Sequence, residues 1–170
     1  MSRTFAIVPL LLSALIPLMA RAELFPPGPA PLAARPAGIR VTLILPAGVE
    51  LRPGSAVLSI GAAGAVARMP LSEPAPPVAE KDAVRHLLQP TLAGQAALAD
   101  LQARLGKGAP PDATMGVRLD LCRTIAAPRE RPFLLAIRLA PAAPVLPMAA
   151  PGAGLSGITG KAPSDLVPCP

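Results

Sequence analysis

Gly38–Leu71 reads GIRVTLILPAGVELRPGSAVLSIGAAGAVARMPL, and its period decides the fold class. Ile39, Val41, Leu43 and Leu45 alternate with Arg40, Thr42 and Ile44. Alternation with period two places every second side chain on one face of a strand. Pro46-Ala47-Gly48 and Arg52-Pro53-Gly54 carry turn chemistry. Ala56–Ile60 reads as a second strand. Gly61–Gly64 turns the chain, and Ala65–Met69 returns as a third. The stretch is expected to form a β-meander.

Working outward, the period changes over 79–106. In EKDAVRHLLQ, Val84, Leu87 and Leu88 fall on one helical face, and Pro90 stops that helix. Thr91 is a good N-cap for a second helix carrying Leu98, Leu101 and Leu105. Asp100 and Arg104 form a favourable i,i+4 pair, and Gly106 suits the residue after the helix end. Strand character returns in MGVRLDLCR, with Val117, Leu119 and Leu121 on one face and Arg118, Asp120 and Cys122 on the other. It returns again in PFLLAIRL, where Leu135, Ile137 and Leu139 alternate with Leu134, Ala136 and Arg138. These two strands are expected to pair antiparallel across the loop TIAAPRERP. Asp120 and Arg138 either meet across that pair or stand as two unrelated surface charges; a meeting is worth about 0.2–1 kcal/mol. Residues 38–140 are therefore expected to form a mainly β (α+β) domain, small and β-sandwich-like. A short helical insertion over 79–106 gives the order β-β-β-α-α-β-β.

Proline marks the edges of this domain. The chain has 25 prolines, clustered at 26–36, 70–77, 110–111 and 141–151. Proline is excluded from helix interiors and central strands, so these clusters read as linkers. Glu23–Ala37 reads as a Pro/Ala-rich extended arm. Residues 141–170 read as a Pro/Gly-rich tail with too little apolar periodicity to fold alone.

The first 22 residues, MSRTFAIVPLLLSALIPLMARA, have the layout of a cleaved secretory signal. Arg3 supplies the positive end, Phe5–Met19 the apolar run, and Ala20-Arg21-Ala22 the small residues of a cleavage site. The run falls short of the ~20 residues that span a bilayer, and Pro9 and Pro17 weaken it as a helix. Cleavage after Ala22 leaves 148 of the 170 residues, one ordinary domain with no transmembrane span. The leader takes Arg3 and Arg21 with it, so the formal charge falls from +6 to +4. Nucleic-acid binding is excluded as a class. The arginines are spaced rather than striped, and the chain has no Trp, no Tyr and only three Phe for stacking.

An exported chain meets an oxidising compartment, where two cysteines most simply pair. A Cys122–Cys169 disulfide would clamp a C-terminus that has little else to hold it. Intermolecular pairing and reactive or metal-binding thiols are the alternatives. Zinc needs three or four ligands, and the chain offers only two Cys and the single His86; neither metal nor cofactor is expected. No serine sits in a GxSxG elbow, GAAGA and GITGK lack the features of a phosphate loop, and spacing singles out no carboxylate pair. His86 is read as a partly exposed helix histidine. A His86–Cys122 dyad competes with the disulfide. No catalytic residue is assigned.

Leu45–Leu71, LPAGVELRPGSAVLSIGAAGAVARMPL, resembles the "LPLGV-LPPGV-L-IDGG-LP" stretch of the invasion-associated locus B family of secreted bacterial proteins. The family pattern continues with cysteines, and Ser72–Arg85 here contains none. The resemblance implies a β-sandwich with a non-catalytic surface role.

The expected function is therefore a secreted or periplasmic, non-catalytic binding or structural domain of the bacterial envelope, with an envelope or extracellular protein as its partner. One alternative is an enzyme with a site near His86 and Cys122. Another is an inhibitor or chaperone that inserts a Pro-rich loop, Pro70–Pro77. The charged strand face around Arg118, Asp120 and Arg138 is either functional or merely solvated.

Overall fold

The structure, a computed structural model, describes residues 30–106, 113–125, 128, 133–150 and 152–170. The signal segment and the first part of the proline-rich arm lie outside the described residues. The protein is a small mainly β domain: a curled antiparallel sheet with one substantial helix. The strands are β1 (Arg40–Pro46), β2 (Val49–Leu51), β3 (Val57–Ala62), β4 (Ala65–Ser72), β5 (Val78–Glu80), β6 (Ala83–Pro90), β7 (Thr114–Arg118), β8 (Leu121–Arg123), β9 (Leu134–Arg138) and β10 (Leu146–Pro147). The helices are α1 (Leu92–Leu105) and the short α2 (Leu155–Thr159).

β1 lies inside the sheet, and its alternation sets which face is buried. Val41, Leu43 and Leu45 are fully buried, while Arg40 is exposed. Its neighbours are not the next strands in the chain. β1 pairs with β6 on one side and β9 on the other, and the full order is β10-β9-β1-β6-β4-β3-β7, with β5 also pairing β6. The expected meander is therefore reduced to the β3–β4 hairpin. Its turn is Ala63-Gly64, with φ of 49° and 77°, the positive pair that a type I′ turn requires. Gly61 sits within β3. β2 leaves the main sheet and pairs with β8.

Residues 83–90 are the clearest correction. They form strand β6, not a helix. Lys81-Asp82 makes a tight turn after β5, and Glu80 pairs with Ala83 across it. His86, Leu88 and Pro90 then face inward, while Arg85 and Leu87 face out. The helical spacing of Val84, Leu87 and Leu88 is real but unused, because β1 offers this segment a full antiparallel ladder. Local propensity is a weak prior against such pairing.

The second helix forms as expected. The Thr91 hydroxyl accepts from the Gly94 amide at 3.2 Å, and Gly106, with φ of 67°, ends α1. α1 packs on β4 through Leu98 and Leu101, both fully buried. Gly94 allows the closest approach: a Cβ there would lie 3.0 Å from the Pro70 carbonyl oxygen and 3.1 Å from Met69 Cα.

Proline is less of a boundary than its chemistry suggests. Pro46 ends β1, Pro70 lies inside β4, and Pro90 ends β6. Lacking its own N–H, Pro70 still contributes its carbonyl, which accepts from the Thr91 amide at 2.9 Å. The end of the proline-rich arm is packed rather than extended. Leu32 and Ala34 are buried, and Gln102 Nε2 on α1 donates to both their carbonyls, at 2.9 and 2.8 Å.

The tail also folds back. β10 pairs with β9, Leu155 is fully buried, and Leu166 is nearly so. Phe133 N–H donates to the Ala153 carbonyl at 3.0 Å. Single apolar anchors and backbone bonds thus hold a segment whose sequence shows no period. Among the described residues, no helix is long and apolar enough to cross a membrane.

Candidate functional site

The two cysteines meet. Cys122 is buried on β8, Cys169 lies beside it, and their sulfurs sit at disulfide distance, with Cα atoms 5.0 Å apart. Backbone bonds reinforce the junction. Arg123 N–H donates to Val167 O at 3.0 Å, and Cys169 N–H donates to Arg123 O at 2.9 Å. The Arg123 Nε also donates to Leu166 O at 2.8 Å. In the bonded state Cys122 offers no thiolate, so a His86–Cys122 dyad has no nucleophile.

His86 is not an exposed helix residue. It is only 4% exposed, on the inner face of β6 opposite Leu43. Its Nδ1 donates to Glu73 Oε1 at 2.6 Å. Glu73 directly follows the end of β4, and its side chain is about one-third exposed. A carboxylate on Nδ1 is also the orienting half of a catalytic triad. The other half needs a hydroxyl or thiol at Nε2, and His86 Nε2 is buried without a partner. The pair satisfies one nitrogen of a buried histidine. The loop offered for insertion into a partner also shortens. Pro70–Ser72 belong to β4 and Val78 opens β5, which leaves 73–77 between them.

The charged face predicted around Arg118, Asp120 and Arg138 does not exist as one surface. β7 pairs with β3 and β9 pairs with β1, so the expected strand pair is absent. Arg138 stands across from Arg40, toward the other end of the sheet. Asp120 turns to Arg52, with an Nη1–Oδ2 distance of 3.7 Å. Ser55 fixes that corner: its hydroxyl donates to Arg52 O at 2.7 Å and accepts from the Asp120 amide at 3.3 Å.

Arg118 acquires a different neighbour. On β3, Val57 and Ser59 point to the outer face of the sheet. Ser59 lies opposite Arg68 of β4, and Val57 lies opposite Arg118 of β7. Val57, Ser59, Arg68 and Arg118 line a cleft of about 290 Å³. A second hollow of about 430 Å³, reached by Val57 and Arg118, continues to Gly54, Ser55, Leu119 and Asp120. Opposite Ser59 on the other side stands Gly116, and a Cβ there would meet nothing within 4 Å. The cleft is floored by Val57 and Ser59 of β3 and flanked by Arg68 and Arg118 on the neighbouring strands. Arg68 and Arg118 are far apart in sequence, and only the non-local β3–β7 pairing unites them.

The chain matches no protein-family model, no curated protein and no solved structure. The functional reading thus rests on the residues themselves. Among the described residues, no group of three or more His, Cys, Asp or Glu is placed to hold a metal ion.

Proposed function

We propose that the chain is an exported, non-catalytic binding domain of the bacterial envelope, periplasmic or secreted, whose fold is locked by a Cys122–Cys169 disulfide. The observation that carries this reading is the cysteine pair at bonding distance in a chain with only two cysteines. Such bonds persist where the surroundings are oxidising and are rare in the cytosol. The leader-like first 22 residues point to the same compartment. The resemblance of Leu45–Leu71 to the invasion-associated locus B family agrees with a surface role. In this reading the scaffold is rigid, and the partner-facing chemistry lies on exposed strand residues.

The test is compartment. The full chain, with its own N-terminus, is expressed in a Gram-negative host, and the cells are fractionated by osmotic shock. Recovery in the periplasm or medium supports the proposal. Retention in the cytoplasm with reduced thiols overturns it.

A further inference from the structure

We propose that the cleft between Arg68 and Arg118 is an oxyanion-binding site that takes a phosphate monoester. The assignment rests on the reading of the chain as a binding domain and gives that domain a ligand class.

The argument starts from charge. Two arginines stand on the strands flanking β3, Arg68 across from Ser59 and Arg118 across from Val57. Both are exposed. Among the described residues, neither side chain forms a hydrogen bond or an ion pair. Asp120, two residues from Arg118, lies 3.7 Å from Arg52, and Glu73, the carboxylate nearest Arg68 in sequence, bonds His86. Two like charges facing one hollow repel, and an anion between them removes that repulsion. The shape then selects the anion. Each guanidinium presents a planar fork of donors that matches two oxygens of a phosphate. The Ser59 hydroxyl on the floor adds a donor between them. A volume of about 290 Å³ admits a tetrahedral oxyanion together with part of the group that carries it. Gly116, across from Ser59 on β7, adds no side chain beside it. The Val57 methyl groups give that carried group an apolar seat.

A phosphate monoester has two sources, a soluble compound or a lipid headgroup, and the experiment separates them. The probes are inorganic phosphate and phosphatidylcholine vesicles carrying a minority of phosphatidate. The oxidised protein is titrated with phosphate at constant ionic strength, and heteronuclear NMR follows the amides of Val57, Ser59 and Gly116 and the Nε–H groups of Arg68 and Arg118. The expected result is a saturable shift confined to these groups. Arg68→Gln and Arg118→Gln should each weaken binding roughly tenfold, and Arg68→Lys by less, because the charge remains while the fork is lost. Each variant is first shown to keep the disulfide and the unfolding midpoint of the parent. Sedimentation with phosphatidate vesicles, lost in both Gln variants and competed by phosphate, assigns the site to a lipid headgroup. Phosphate binding without vesicle binding assigns it to a soluble ester. No saturable shift, the same shift with chloride alone, or binding unchanged in both Gln variants overturns the proposal. Failure of export in the fractionation experiment is read independently, so the two results cannot be confused.

Discussion

Replacing Cys122 and Cys169 together by alanine opens a covalent loop whose ends are 47 residues apart. The cost can be worked from that separation. A cross-link restricts the unfolded chain, and the loop-entropy treatment gives about 4 kcal/mol for a loop of this length. The native state should change little. The tail keeps its three backbone and side-chain bonds at Arg123 and Cys169 and the buried Leu155 and Leu166. The loss therefore appears in the unfolded ensemble. For a domain of this size, about 4 kcal/mol lowers Tm by roughly 10 °C. The assay is guanidinium unfolding of the oxidised protein, the reduced protein and the double-alanine variant. Reduction isolates the cross-link without removing sulfur from the buried site of Cys122. The slope of stability against denaturant should rise on reduction, because the open chain exposes more surface. Hydrogen exchange provides a second readout. If the tail also detaches locally, the amides of Arg123 and Cys169 lose protection before those of β1. A stability loss below about 1 kcal/mol, with an unchanged slope, would refute the reasoning, because the cross-link would then not restrict the unfolded chain.

Three further outcomes test the packing. Glu73→Ala leaves the Nδ1 donor of a buried histidine unsatisfied and should cost about 1–3 kcal/mol, whereas His86→Leu should be nearly neutral; urea denaturation of both variants checks the difference, and equal losses would contradict it. Gly94→Val forces branched carbons against the backbone of Met69 and Pro70 and should cost about 2–3 kcal/mol, seen as a lower Tm with loss of helix signal in circular dichroism. Thr91→Ala removes the cap of α1 and should cost about 1 kcal/mol in the same denaturation assay, with no effect on the disulfide.

The strands legible in the sequence are those with strict alternation. β1 shows its core face as Val41, Leu43 and Leu45, and β9 shows it as Leu135 and Ile137. The helix α1 is legible because Thr91, the leucines and Gly106 agree with one another. β6 is not. Its inward positions include His86, a polar residue that breaks the apolar alternation and leaves a helical period more visible. The β1–β6 ladder turns that histidine inward, and Glu73 supplies a partner for its Nδ1. Strand partners are also hidden, because alternation specifies a face and says nothing of a neighbour. From the sequence alone Asp120 and Arg138 could thus either meet or stand apart, and in the fold they are apart. For the same reason the Arg68–Arg118 cleft has no sequence signal: each arginine reads as an ordinary exposed strand residue until β3 is placed between them. The tail hides its order differently. Leu146, Leu155 and Leu166 are isolated anchors, and isolated anchors have no period.

The central claim is that the protein leaves the cytoplasm and closes Cys122 onto Cys169. The most direct test is the intact mass of the exported protein, alkylated without reductant. The account predicts a chain starting at Glu23, two hydrogens lighter than the reduced form and carrying no alkyl group. A mass that retains the leader, an alkylated cysteine, or a dimer that reduction separates would contradict it.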